Sequence, residues 1–223
     1  MDYIIHIKET GFLSSMPESI IHHFLLQICY YLYMNNIKAI FFDFNGVLIL
    51  DKLGYSSSEL ENRIYKQLGT SLDDKKDIDN ILNELDWEKE KFWRYIHKSW
   101  EGVLPNSQLL DWIKEIKDKG YKTAIISNTS GIIFRKYQED FFGINLENLF
   151  DEIIISSEVK QLKPDKSIYE TALRKFNVKS NEAVMIDDSS RYLEGAKELG
   201  INIIHFENNE LVQKSLSDLG VYI

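Results

Sequence analysis

Five short runs, residues 37–43, 121–127, 151–156, 182–187 and 201–206, are rich in Ile, Val and Phe and apolar on both faces. A strand with one wet face alternates polar and apolar residues. A strand covered on both sides does not, so these runs predict the buried strands of a parallel sheet. Between them lie segments of helical period with legible ends. Asn106 after Pro105 leads into Leu109, Leu110, Ile113 and Ile116 before a stop at Gly120, a second segment spans 168–176, and a third spans 193–199, closed by Gly200. Helix following strand in repetition is the βαβ pattern, and the predicted fold class is α/β with a five-stranded parallel sheet flanked by helices.

Residues 54–102 break the alternation. The interval holds no strand-like run and carries two helix-start signals, Ser56-Ser57-Ser58-Glu59 and Ser71-Leu72-Asp73-Asp74, so it reads as a helical insertion. Its aromatic residues Trp87, Phe92, Trp93, Tyr95 and Trp100 fall partly at helical spacing and should form the insertion's own core. The cluster Asp73, Asp74, Asp77, Asp79 lacks the glycine and distal glutamate of a calcium loop and reads as the solvated start of a helix. The predicted organisation is an apolar extension over 1–36, a core made of 37–53 and 103–223, and the helical insertion over 54–102.

The extension contains an apolar stretch at 20–34 interrupted by His22, His23 and Gln27. Its 15 residues fall short of the ~20 a bilayer span requires. The residues before it are not net positive, so it does not resemble a secretory signal. Two readings remain: a helix that packs on the domain or on a partner, or a chain whose true start is Met34.

A formal charge of −9 and the lack of any Lys/Arg run give no drive for gripping a phosphate backbone, which argues against nucleic acid as a partner. Cys29 is the single cysteine, which excludes an internal disulfide and a multi-thiolate zinc site and fits a reducing cytoplasm. The five histidines, His6, His22, His23, His97 and His205, show no metal-ligand spacing.

Four polar segments sit at or just beyond predicted strand ends, the edge where open α/β sheets bind ligands. Phe42-Asp43-Phe44-Asn45-Gly46 ends the first strand with a carboxylate followed by a glycine that permits a tight turn. Ile126-Ser127-Asn128-Thr129-Ser130 ends the second with small hydroxyl and amide groups suited to anionic oxygens. Leu162-Lys163-Pro164-Asp165 sets a lysine just before a helix start, and Ile186-Asp187-Asp188-Ser189-Ser190 ends the fourth strand with two adjacent carboxylates that are expensive without a cation. Singly, each is explained by helix capping. Converging on one edge, they supply a nucleophile, a hard-cation site of oxygen ligands, and clamps for a transferring phosphoryl group.

These segments, in this order, resemble the motifs of the haloacid dehalogenase superfamily, in the subgroup with a helical cap inserted after the first strand. The resemblance runs from residue 37 to the C-terminus. It implies a Rossmann-like hydrolase core with a small all-helical cap over 54–102, a magnesium ion, and a small phosphorylated metabolite as substrate. By motif match, Asp43 is the expected nucleophile, forming an aspartyl-phosphate and also binding magnesium. Ser127, with Asn128 beside it, and Lys163 are expected to bind phosphate. Asp187 and Asp188 match the acidic metal motif, Asp188 being the expected direct ligand.

One position departs from the phosphatase pattern. Two residues after the nucleophile, where family phosphatases commonly carry a second aspartate as general acid and base, this chain has Asn45. Metal binding through the backbone carbonyl there is expected to survive. Proton transfer is not, because an amide neither gives nor takes a proton near neutral pH, and such catalysis is worth roughly 10² to 10⁴-fold. The leading expectation is a cytoplasmic, magnesium-dependent phosphatase. The alternatives are a phosphate- and magnesium-binding protein with weak or no catalysis, and a metal-independent haloacid dehalogenase, in which Asn45 would be harmless.

Overall fold

A computed structural model describes Ile37–Ile223 apart from Ile144 and the side chains of Glu139, Asp140 and Phe142, together with Pro17, Ile20 and His23. The expectations for the apolar stretch at 20–34, for a start at Met34, and for Cys29, His6 and His22 lie outside the described residues.

The central sheet has five strands, β1 (Ala39–Phe42), β4 (Lys122–Ser127), β5 (Glu152–Ile155), β6 (Ala183–Asp187) and β7 (Asn202–His205), in the spatial order β5-β4-β1-β6-β7. Every pairing is parallel. The chain builds outward from β1 to one side, then returns and builds to the other. β1 is therefore the switch point, flanked by β4 and β6, where a crevice opens at the carboxyl ends of the strands. The five strands fall where the apolar runs predicted them, each trimmed at one end or both.

Residue alternation in β1 divides the interior into two layers. Ile40 and Phe42 face Ile125, Val184 and Ile186, and this side is covered by α4 (Ser107–Asp118) through Leu109, Ile113 and Ile116 and by α10 (Asn209–Asp218) through Val212 and Leu216. Ala39 and Phe41 face the other way with Ala124, Ile126 and Met185, under α8 (Lys166–Phe176) and α9 (Ser190–Glu198), which contribute Ile168, Tyr169, Leu193 and Ala196. Burial of each large side chain contributes about 1.5–3 kcal/mol, and it is this two-sided burial that removes alternation from the strand sequences.

Between β1 and β4 the chain departs through β2 (Ile49–Asp51), forms α1 (Glu59–Gly69), α2 (Asp74–Leu85) and α3 (Lys89–Trp100), and returns through β3 (Val103–Pro105), which pairs antiparallel with β2. The two signals read from sequence operate as caps: Ser58 Oγ accepts from Glu61 N, and Asp73 Oδ1 accepts from Lys76 N. The third helix had no such signal because its N-cap, Glu88, makes no side-chain capping bond. The β2/β3 ribbon also escaped prediction, since three-residue strands are too short to establish a period. The insertion has its own apolar cluster, with Ile64 and Leu68 from α1, Ile81 from α2, and Phe92 and Ile96 from α3. It rests on Ile133 and Tyr137 of α5 (Gly131–Phe142). Among the described residues no helix is long and apolar enough to cross a membrane.

Candidate active site

In-register pairing of Phe42 with Ile186 brings Asp43, the next residue along β1, level with Asp187 at the end of β6. The Asp43 N–H donates to Ile186 O at 2.8 Å, so the ladder runs to the end of the strand and fixes where the carboxylate stands. Lys163 lies between the two acids. Its Nζ is 2.8 Å from Asp43 Oδ1 and 2.6 Å from Asp187 Oδ2, and its side chain is fully buried. Burial opposes the ammonium, but the charges of Asp43 and Asp187 outweigh it and raise the Lys163 pKa above its ordinary value. The ring of Tyr192 adds a cation–π contact 5.1 Å from Nζ.

The remaining bonds of the two acids differ. Phe44 N donates to Asp43 Oδ1 at 2.7 Å, so both contacts of that carboxylate fall on Oδ1 and leave Oδ2 available. Ser189 N donates to Asp187 Oδ1 at 2.8 Å while Oδ2 takes the lysine, so Asp187 is engaged at both oxygens. Burial, reinforced by the charge of Asp43, holds the Asp187 carboxyl above the ordinary aspartate range despite Lys163. Asp188 is more exposed, and burial and the Asp43 charge push it in the same direction. Oxygen atoms of Asp43, Asp187 and Asp188 lie within 4.8 Å of one another. Three clustered carboxylates against one ammonium leave an excess of negative charge, and an all-oxygen donor set suits a small hard cation.

Asn128, at the end of β4, is bonded in a way its sequence context did not suggest. Its Nδ2 donates to Lys163 O and its Oδ1 accepts from Lys163 N, both at 2.8 Å. This pair of hydrogen bonds ties the segment between β5 and α8 to the end of β4 and so carries the lysine to the switch point. Ser127 Oγ is buried without a hydrogen-bond partner among the described residues, and Ser127 does not line either cavity described below. Asn45 stands exposed on the turn after Asp43. Gly46 in that turn has φ +79°, and a Cβ there would fall 2.5 Å from Asp188 Oδ2. Both the backbone conformation and the close approach of the acid therefore require glycine.

These groups open into a cavity of about 480 Å³ lined by Asp43, Asn45, Asn128, Lys163 and Asp188 from the core and by Tyr65, Lys66 and Thr70 from the insertion. A second cavity, of about 310 Å³, extends under the insertion along Tyr55, Glu61, Tyr65 and Trp100. Sequence reasoning had no means of placing Tyr65, Lys66 or Tyr192 at the site, because each arrives by tertiary packing. His205, one of the histidines without metal-ligand spacing, stands beside it, with Nε2 2.8 Å from Asp188 O.

The model of the haloacid dehalogenase-like hydrolases matches residues 40–206, most of the chain and all four strand-end segments. The chain belongs to this family. It is 26% identical over 211 residues to a glyceraldehyde 3-phosphate phosphatase of Pyrococcus furiosus, covering 82% of this chain and 86% of that one. It is 26% identical over 198 residues to a D-ribitol-5-phosphate phosphatase of Bacteroides thetaiotaomicron, covering 77% and 93%. A HAD family enzyme of B. thetaiotaomicron, solved as a magnesium complex, superposes with a TM-score of 0.65 at 21% identity over 80% of this chain and 99% of that one. That last likeness extends to the fold of this haloacid dehalogenase-like hydrolase and no further.

Proposed function

We propose that the protein is a magnesium-dependent phosphatase of small phosphorylated metabolites, with Asp43 as nucleophile. The observation that carries this reading is the buried Lys163 ammonium bridging Asp43 and Asp187, with Asp188 beside them at the floor of the 480 Å³ cavity. Asp43 Oδ1 is held by Lys163 and by Phe44 N, so Oδ2 is the atom that attacks phosphorus. The P–O bond to the leaving group breaks as the Asp43 O–P bond forms, the leaving oxygen taking its proton from water since Asn45 has none to give, and water then attacks the acyl phosphate, releasing inorganic phosphate and restoring the carboxylate. The Lys163 ammonium, which lines the cavity, is the donor assigned to phosphoryl oxygens; the Ser127 hydroxyl, buried without a partner among the described residues and outside the cavity lining, joins it only by turning toward the site. Asp43, Asp188 and the backbone carbonyl of Asn45 would hold the magnesium ion, with Asp187 orienting Lys163. Bound there, the ion supplies charge neutralisation at the phosphoryl group. Named relatives that are sugar-phosphate and triose-phosphate phosphatases support the substrate class.

Asn45 favours a second reading, a protein that binds phosphate and magnesium but turns over slowly. Its amide lines both cavities, at the position from which a leaving oxygen would need a proton. A magnesium-supplemented screen against an aryl phosphate and a panel of phosphorylated metabolites separates the two. Turnover abolished by chelator and by Asp43→Asn supports the phosphatase. Beryllium fluoride binding without turnover of any panel member supports the binding protein, and halide release indifferent to chelator would refute both.

A further inference from the structure

The two cavities meet along Asn45, Asp51, Tyr65, Gly69 and Asn128, which line both, yet their charges differ. The larger one carries Lys163 and Lys66 together with the carboxylates of Asp43, Asp51 and Asp188. The smaller one shares the exposed Asp51 and adds the carboxylate of Glu61, and no lysine, arginine or histidine is among the described residues that line it. Glu61 is half-buried, and its Oε1 accepts a hydrogen bond from the Tyr55 hydroxyl, which fixes the acid at the chamber wall. Burial, then the Glu61 hydrogen bond and charge, raise the Tyr55 pKa, so the phenol stays a donor at any physiological pH. Phe44, Trp100, Ile133 and Phe134 give the lining an aromatic and aliphatic stretch, with Phe44 in ring contact with both Trp100 and Phe134. Tyr65 also lines it, its hydroxyl 2.6 Å from Ser99 Oγ.

A phosphate ester lying across both cavities would put its phosphoryl group by the lysines and its leaving group in the smaller chamber. A carboxylate or second phosphate there would stand beside the half-buried Glu61 and the exposed Asp51 with no cation among the described residues of the lining, whereas a hydroxylated chain finds both acceptors and apolar contact there.

We infer that the Asp51/Glu61 chamber selects phosphate monoesters whose leaving group is uncharged and hydroxylated, and rejects those that carry a second anionic group. This inference rests on the phosphatase reading for its orientation of the ester.

The test uses the full chain with magnesium and two esters that differ only at the far carbon, glycerol 3-phosphate and 3-phosphoglycerate. The expected kcat/KM favours the neutral ester by about tenfold or more. Glu61→Gln, which keeps the shape and hydrogen bonding of the side chain, is expected to narrow the gap by raising kcat/KM for 3-phosphoglycerate. Equal or reversed preference in the unmodified protein, or an unchanged gap in Glu61→Gln, would overturn the inference. Turnover of neither ester nor of an aryl phosphate would count against the phosphatase reading alone. Calorimetry with the non-hydrolysable pair 3,4-dihydroxybutylphosphonate and 2-hydroxy-4-phosphonobutyrate then decides, since it needs no catalysis. About tenfold tighter binding of the dihydroxy compound sustains the inference, while equal affinity, reversed affinity or binding of neither overturns it.

Discussion

Replacing Lys163 with methionine keeps the length and most of the volume of the side chain while removing its charge, so its effect isolates the electrostatics of the site. In the native protein the ammonium is fully buried and lies 2.8 Å from Asp43 and 2.6 Å from Asp187. Methionine leaves two adjacent carboxylates buried with no cation between them. Removing one partner from a buried, hydrogen-bonded charge pair costs about 3–5 kcal/mol, far above the ~1 kcal/mol ceiling of an exposed pair. For a protein of this length each kcal/mol lowers the melting temperature by about 2–4 °C, which gives an expected fall of roughly 6–20 °C. Thermal and urea unfolding followed by circular dichroism, in magnesium-free buffer at neutral pH, measures it. Asp187→Asn in the same background removes one of the two orphaned charges and is expected to recover part of the loss. A loss under about 1 kcal/mol, or no recovery in the double variant, would refute the account of Lys163 as the buried counter-charge.

Four further outcomes are expected. Asn45→Asp supplies a titratable group at the turn after Asp43 and should raise turnover of alkyl phosphates by about 10²-fold, measured by phosphate release; no change would argue that the native protein draws its proton elsewhere. Magnesium should raise the melting temperature in proportion to the logarithm of its concentration, and Asp188→Asn should flatten that dependence. Asp74 of α2 accepts from Ser157 Oγ at 2.9 Å and from Ile132 N at 3.1 Å, joining the insertion to the core, so Asp74→Ala should cost about 1–2 kcal/mol in urea unfolding. Burial, set partly back by the Ser99 hydrogen bond, pushes the Tyr65 phenol from 10.0 up to about 12. Because the folded value lies above the unfolded one, this stabilisation is fully present below pH 10 and is lost as the pH rises through about 12; an ultraviolet titration should show a late tyrosine transition that Tyr65→Phe removes.

The sheet was legible because strands buried on both faces declare themselves as short uninterrupted apolar runs, and because Asp43, Ser127 and Asp187 stand at or just after the last residues of such runs. The acid trio was legible for the same reason: once strand ends are known, parallel register sets β1 and β6 carboxylates side by side. What sequence withheld was everything delivered by packing between distant segments. The Asn128 pairing with Lys163 joins residues 35 positions apart, and nothing in the local sequence distinguishes that amide from one aimed at phosphate. Glu61 and Tyr65 carry no motif in the sequence, and only the folded insertion brings them to the site. α3 illustrates a different limit, since a helix held by Phe92 and Ile96 in an apolar cluster forms without a capping residue to announce it.

The β2/β3 ribbon has a consequence for engineering. The outgoing and returning chain are paired there, Asp51 with Val103, so the insertion's covalent connections pass through two positions held at a fixed spacing. A foreign segment whose ends match that spacing can be spliced between Asp51 and Val103 without disturbing any strand of the central sheet. Exchange of this segment among related chains would change which molecules are admitted while leaving Asp43, Lys163 and Asp188 where they stand, making substrate choice and bond cleavage separately replaceable parts of one polypeptide.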